Sequence, residues 1–285
     1  MREGIGGIIR RGLRRPSLRQ RFVARYAPKA GPGLEVGPSH SPLAPKAAGF
    51  NVEILDHAPA QELRAKYRNA GVNLDHIEDV DFIWHGKSLP ETIGRSGCYD
   101  WIIASHVIEH MPNLVGFLLD CQTLLQQAGR LILVVPDKRY CFDHFQSLTS
   151  TGDVLDAHLL NRTRPSPGRV FDHFANAVGK GRGRVLSWHR HAPGAMQLVH
   201  SLENARDACR FAQTDDEYVD VHNWRFTPES FRLVIDDLRD LGLLELGITE
   251  GPTGASNEFC ACLQRCSNQH GDRIARLAAI EKAQH

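Results

Sequence analysis

An α/β fold built on a doubly wound, mostly parallel sheet of seven strands is what this sequence predicts, and three observations predict it. Residues 99–105, Tyr-Asp-Trp-Ile-Ile-Ala-Ser, and 130–135, Arg-Leu-Ile-Leu-Val-Val, are near-continuous apolar runs, which suit strands covered on both faces. Between them Leu114, Phe117, Leu118, Cys121, Leu124 and Leu125 recur at helical spacing, behind the N-cap candidate Asn113 and ahead of the breaker Gly129. That is a βαβ unit. The second observation is a pair of short strands upstream, Leu34–Val36 and Val52–Leu55, the first running into a polar loop and the second closing on Asp56. The third is a C-terminal pair, Leu243–Thr249 and Glu258–Leu263, whose short connection at Gly251-Pro252-Thr253-Gly254 favours an antiparallel hairpin.

Taken in order, residues 1–30 form a basic N-terminal helical segment. Positions 1–25 carry eight arginines (Arg2, Arg10, Arg11, Arg14, Arg15, Arg19, Arg21, Arg25) against one acid, Glu3. Such a run reads either as a solvated helix or as an arm making weak contact with an anionic membrane surface. Its apolar patch, Ile5–Ile9, is too short for a signal-peptide core. Pro28, Gly31, Pro32 and Gly33 end the segment. After Asp56, Leu63, Tyr67 and Ala70 mark a short helix stopped by Gly71. Asp81–Trp84 is a third strand, ending at His85-Gly86-Lys87-Ser88-Leu89. Residues 137–226 lack strong periodicity and are rich in His, Arg and aromatic residues. They are expected to be an inserted cap or substrate region, with loops at Arg162–Gly168 and Gly179–Arg184. Thr227-Pro228 opens a helix that buries Phe231, Val234, Ile235, Leu238 and Leu241 and stops at Gly242. Residues 31–136 and 227–265 thus form one domain, and 266–285 a peripheral tail.

Composition narrows the function. The chain has 285 residues, 42% hydrophobic and 24% charged, with a formal net charge of +1, which argues against a dedicated nucleic-acid binder. No apolar run is long enough to span a membrane. Seven cysteines, an odd number over a long chain, suit reduced thiols and a cytoplasmic location better than a disulfide framework.

The loop Leu34-Glu35-Val36-Gly37-Pro38-Ser39-His40, with Asp56 placed 21 residues after Glu35, is a nucleoside-binding arrangement. Main-chain groups approach the ligand, and the acid accepts hydrogen bonds from ribose hydroxyls. Only Gly37 of the usual three glycines is kept, Ser39 and Ser41 standing where the others fall. With Tyr99–Asn113 and Ala128-Gly129-Arg130-Leu131 running into Pro136, these residues make the chain resemble the class I S-adenosylmethionine (SAM)-dependent methyltransferases. The likeness covers residues 31–136 and, in outline, 227–264, in the small-molecule type with a long insertion after the fifth strand. It implies a Rossmann-like sheet, SAM as cofactor and methylation of a small-molecule or glycan-type acceptor. It assigns Glu35, Gly37, Pro38 and Ser39 to the methionine and ribose side, Asp56 to the ribose with His57 beside it, Gly86, Lys87 and Ser88 to adenine, and Ser105 and His106 to the cofactor edge after the fourth strand. The serines are expected to avoid left-handed backbone angles.

Catalytic candidates lie where the remaining strand ends open. Asp137 and His144, on the turn after the fifth strand, read either as a base for the acceptor or as parts of a salt-bridged turn. His222, just ahead of the penultimate helix, can face the same pocket. His106-Val107-Ile108-Glu109-His110 spells the inverted zinc-peptidase motif H-x-x-E-H, but with the helix starting only at Asn113 both histidines precede it, so no zinc site is expected. Cys260 and Cys262, with Cys266 and His270, match no common zinc spacing and read as buried strand thiols. An alternative to an enzyme is a non-catalytic methyltransferase-like binding or scaffold domain. A nicotinamide oxidoreductase is disfavoured, since it expects an intact glycine fingerprint.

Overall fold

The computed structural model describes residues 16–254, 256–267 and 271–284. The residues 1–15 of the arginine-rich segment, and His270, lie outside these. The strands are β1 (Gly33–Val36), β2 (Val52–Asp56), β3 (Phe82–Ile83), β4 (Tyr99–Ser105), β5 (Leu125–Pro136), β6 (Val178–Lys180), β7 (Met196–Leu198), β8 (Leu246–Gly254) and β9 (Glu258–Arg265). The helices are α1 (Leu18–Tyr26), α2 (Ala60–Tyr67), α3 (Leu89–Ile93), α4 (Leu114–Leu124), α5 (Thr151–Leu159), α6 (Pro167–Asn176), α7 (Leu202–Thr214), α8 (Pro228–Asp240) and α9 (Arg273–Gln284).

Seven strands form one sheet in the order β3-β2-β1-β4-β5-β9-β8. The first five run parallel, and β9 enters antiparallel between β5 and β8. Both faces are covered, which explains the unbroken apolar runs. Along β4 and β5, Ile102, Ala104, Leu131 and Leu133 pack with Leu114, Leu118 and Cys121 of α4 and Phe231, Ile235 and Leu238 of α8. Trp101, Ile103 and Ile132 point the other way, to Val23 of α1 and Ala27 just after it. Gly33 is required at the close approach of β1 to this second layer, because a Cβ there would lie 2.1 Å from the Trp101 ring.

Two segments depart from expectation. Residues 137–226 hold three helices and the two-stranded β6–β7 hairpin instead of irregular chain. Of these, α6 and α7 escape notice because they are polar overall and their small core rests on few apolar residues, Val170, Ala212 and Val221 with Phe174, Ala208 and Val219 around it. The Pro167-Gly168 pair, read as loop, begins α6 behind the cap Ser166. At the C-terminus the predicted turn Gly251–Gly254 belongs to β8, whose pairing with β9 shifts register on either side of Glu250. The Arg232 guanidinium of α8 holds the Gly251 carbonyl there.

Candidate active site

The chain reverses its direction across the sheet between β1 and β4: β2 and β3 are added on one side of β1, β4 and β5 on the other. Ligands of open α/β sheets lie beyond the strand C-termini at such a switch point. The two segments leaving it are the Gly37–Ser41 loop from β1 and the Ser105–Asn113 turn from β4.

Glu35 is the last but one residue of β1 and is 1% exposed. Its carboxylate accepts from the Leu43 amide at 2.7 Å and the Ala44 amide at 3.0 Å, so it closes the far limb of the loop from inside. Burial pushes its carboxyl up to about 7, against the downward pull of the two amides. Gly37 has φ of +63°, and a Cβ at this position would meet Val107 Cγ2 at 3.1 Å. Ser39 adopts φ of +51°, so the loop does not avoid the left-handed region there, whereas Ser41 stays out of it as expected. The hydrogen bond from the Ser39 amide to Asp56 Oδ2 at 2.9 Å holds it there. Asp56, 2% exposed, also accepts at Oδ1 from the amide and Nδ1 of His57, at 2.8 and 2.6 Å. Ser39 Oγ and His40 Nδ1 are buried and have no hydrogen-bond partner. Buried polar atoms left unpaired are costly, and here two of them share the loop where the resemblance sets the cofactor. The loop, with its left-handed Gly37 and Ser39, thus fits a polar nucleoside ligand; Asp56 fits its ribose by exchanging the Ser39 or His57 bond.

Gly86 is left-handed, with φ of +83°. The Lys87 carbonyl accepts from Trp84 Nε1 at 2.5 Å, and Ser88 caps α3 through a capping box with Glu91. Side-chain contact from Ser88 is therefore already spent on the helix, leaving Lys87 as the polar side chain of that turn. Ser105 ends β4. His106 follows at φ of +54°, with Nε2 3.0 Å from Glu258 Oε2 on β9 and Nδ1 3.4 Å from Glu109 Oε1. Burial pulls this imidazole down, but the two carboxylates prevail and push it up to about 9.

Of the three catalytic candidates, the structure separates one from the other two. Asp137 is buried, and its oxygens accept from Arg139 Nε at 2.9 Å and from its terminal nitrogen at 2.6 Å. His144 donates from Nδ1 to the Arg139 carbonyl at 2.7 Å. Both are held within one turn. His222 instead meets the turn after β4. The segment 218–224 is clamped onto that turn: Asn223 and Trp224 donate their amides to the Glu109 carbonyl, at 2.7 and 3.2 Å. Tyr218 Oη donates to the His110 carbonyl at 2.7 Å, and Trp224 Nε1 to that of Met111 at 2.5 Å. This brings Glu109, His110 and His222 together, one nitrogen or carboxylate oxygen of each lying within 4.8 Å of the others.

An acid stands behind each imidazole of the cluster. His110 Nδ1 is 2.7 Å from Asp220 Oδ1, and His222 Nδ1 is 2.5 Å from Asp143 Oδ2. Asp143 is itself steadied by Gln146 Nε2 at 2.5 Å. Sequence reasoning set Glu109 and His110 aside with the zinc-peptidase motif and did not single out Asp220. The H-x-x-E-H segment and the His222 segment are both visible in the sequence, but nothing local says that they meet. Cys260 and Cys262 are buried in β9 and, like the other five cysteines, are free thiols.

A family model described as a methyltransferase domain matches residues 9–215. The chain is 23% identical over 198 residues to the mitochondrial ubiquinone biosynthesis O-methyltransferase of Rattus norvegicus, a match covering 61% of this chain and 56% of that protein. It therefore spans little more than half of that relative. Among solved structures it is similar to a putative Zn-dependent alcohol dehydrogenase from Rhodobacter sphaeroides, with a TM-score of 0.46 and 14% identity over 88% of this chain and 91% of that one. It is also similar to the CcbJ methyltransferase from Streptomyces caelestis, with a TM-score of 0.43 and 13% identity over 87% and 94% of the two chains. Neither structural likeness bears on chemistry.

Proposed function

Because the chain belongs to the methyltransferase-domain family, as a class I SAM-dependent member with SAM as its cofactor, we propose that it transfers a methyl group to a hydroxyl oxygen of a small-molecule or glycan-type acceptor. One observation carries this reading: the Glu109–His110–His222 cluster just past the end of β4, with an aspartate behind each imidazole. SAM supplies an electrophilic methyl group on a sulfonium, a good leaving group, so much of the work left to the protein is alignment. A hydroxyl is a poor nucleophile until its proton is taken or its acidity raised, whereas a neutral amine or a carboxylate needs neither. A buried group of two imidazoles and a carboxylate is what a hydroxyl acceptor requires. The name of the rat relative, an O-methyltransferase, agrees with oxygen as the methylated atom.

On this reading Gly37, Pro38, Ser39 and His40 bind the polar end of the cofactor, Asp56 its ribose, and Ser105 and His106 border it on the β4 side. His57 steadies the Asp56 carboxylate, and the Gly86–Ser88 turn receives the adenine. Seven free thiols support a reducing compartment, for which we take the cytoplasm. The alternative of a non-catalytic binding domain draws on Asp56, whose carboxylate already accepts three hydrogen bonds.

Calorimetric titration with SAM and S-adenosylhomocysteine, followed by transfer of labelled methyl from SAM to a panel of phenols, polyols and amines, tests the reading. Binding of both cofactors and label on a hydroxyl acceptor are expected. Failure of folded protein to bind either cofactor at about millimolar concentration, or label on amines alone, defeats it.

A further inference from the structure

The Glu109–His110–His222 cluster has the build of a metal site. Three features, independent of one another, point the same way. First, the Nδ1 atom of each imidazole is paired with an aspartate, His110 with Asp220 and His222 with Asp143, which leaves Nε2 as the nitrogen available to a metal ion. An acid behind the far nitrogen is the usual support of a metal-binding histidine, because it fixes the tautomer and raises the basicity of the ligating atom. Second, Glu109 is 0% exposed, and neither of its carboxylate oxygens has a hydrogen-bond partner. His106 Nδ1 forms an ion pair with Oε1 at 3.4 Å, outside hydrogen-bonding geometry, and its other nitrogen is taken by Glu258. Glu109 is thus charge-paired with His106 yet keeps unfilled hydrogen-bonding capacity at both oxygens, which a bound cation takes up. Third, one donor atom from each residue lies within 4.8 Å of the other two, a span that a single ion bridges.

The cluster is also held rigidly. The Glu109 carbonyl takes the amides of Asn223 and Trp224, and the His110 carbonyl takes Tyr218 Oη and Asn223 Nδ2. The two ligand-bearing segments therefore cannot drift apart without breaking these bonds. The H-x-x-E-H segment does contribute to a metal-type cluster, but through Glu109 and His110, with His222 from the far end of the inserted region replacing His106.

We propose that Glu109, His110 and His222 bind a divalent first-row transition ion, with zinc the best match to the donor set. Two imidazoles and one carboxylate suit zinc and its neighbours, and three protein ligands leave a coordination position open, as in catalytic sites. What the ion does there rests on the proposed hydroxyl methylation; that it binds does not. The acceptor hydroxyl takes the open position, and coordination raises its acidity. Its O–H bond breaks and the proton leaves to solvent. The oxygen lone pair forms the new bond to the methyl carbon while the carbon–sulfur bond breaks, its electron pair staying on sulfur in S-adenosylhomocysteine.

The test uses the full chain without an affinity tag, stripped with a chelator and titrated with Co²⁺ as a spectroscopic stand-in, then with Zn²⁺ by calorimetry. Visible d–d bands of a nitrogen- and oxygen-ligated ion are expected, with one ion bound per chain. Glu109→Gln and His222→Ala should each weaken Co²⁺ binding by about 100-fold or more. Asp220→Asn, on a side chain 70% exposed and so little needed for folding, should weaken it by about 10–100-fold. No binding by the folded wild type, or affinities unchanged in Glu109→Gln and Asp220→Asn, overturns the site. Thiolate-type charge-transfer bands from a cysteine-bound ion do the same. Full methyl transfer by the metal-free protein overturns the ion's role and leaves the hydroxyl reading standing. Cobalt bound at these residues with no hydroxyl methylated upholds the site and defeats that reading instead.

Discussion

Replacing Glu35 by Gln isolates the cost of keeping an ionisable group inside β1. The carboxyl lies out of water and burial raises it from an ordinary 4.5 to about 7, although the Leu43 and Ala44 amides pull the other way. In the unfolded chain Glu35 loses its proton near 4.5, whereas in the folded chain it keeps it to about 7. Between these values the folded state binds more protons, so this group's contribution to stability is fully present below about 4.5 and is lost as pH rises through about 7. At about 1.4 kcal/mol per pH unit, the loss comes to about 3 kcal/mol. Glutamine has the shape of the protonated acid, with one acceptor oxygen and no charge to desolvate. Urea unfolding of wild type and Glu35→Gln at several values between about pH 4 and 8 gives the difference in which all other titrations cancel. That difference should move in favour of Glu35→Gln by about 3 kcal/mol as pH rises. A flat difference, or one moving against the variant, would mean that the two amides keep Glu35 ionised despite its burial, and the reasoning would fail.

The remaining expectations concern the loop and the layer beneath it. Asp56→Ala should weaken SAM and S-adenosylhomocysteine alike, by about 1–3 kcal/mol in calorimetry, because both present the same ribose; unchanged affinity means that the ribose sits elsewhere. Ser39→Gly relieves a left-handed angle at a residue with a Cβ and should raise Tm by about 1–4 °C for a chain of this size, a lowered Tm being the contrary result. Gly33→Ala sets a Cβ 2.1 Å from the Trp101 ring, so a loss of about 1–3 kcal/mol in denaturant unfolding is expected, and a neutral effect would show that this layer yields easily.

The sheet was legible because its strands carry their burial on their faces. Trp101–Ala104 and Leu131–Val135 are apolar throughout, and the covered sheet they imply is the one found. The capping residues Asn113 and Thr227 were equally plain, since each marks its helix start by side-chain chemistry alone. The inserted helices were not, because α6 and α7, although amphipathic, are polar overall and bury few residues, among them Val170, Ala205 and Ala212. Ser39 was misjudged for a related reason. Its left-handed angle is held by a tertiary bond to Asp56, which local preference does not reveal. The site split in the same manner: the cofactor loop and Asp56 lie on consecutive strands and announce themselves. The carboxylate–imidazole cluster joins the turn after β4 to the far end of the inserted region, and Asp220 and Asp143 acquire meaning only once their histidines are seen.

The clamp of residues 218–224 onto the Glu109–Met111 turn has a consequence for how the molecule is divided. The family-model match ends at residue 215, so Asp220 and His222 lie beyond it. The nucleoside-facing loop belongs to the stretch shared with relatives, whereas the groups that complete the cluster come from a strap that follows it. The cluster therefore straddles that boundary, Glu109, His110 and Asp143 lying inside the matched stretch and Asp220 and His222 outside it, so the strap is what joins the two parts into one site.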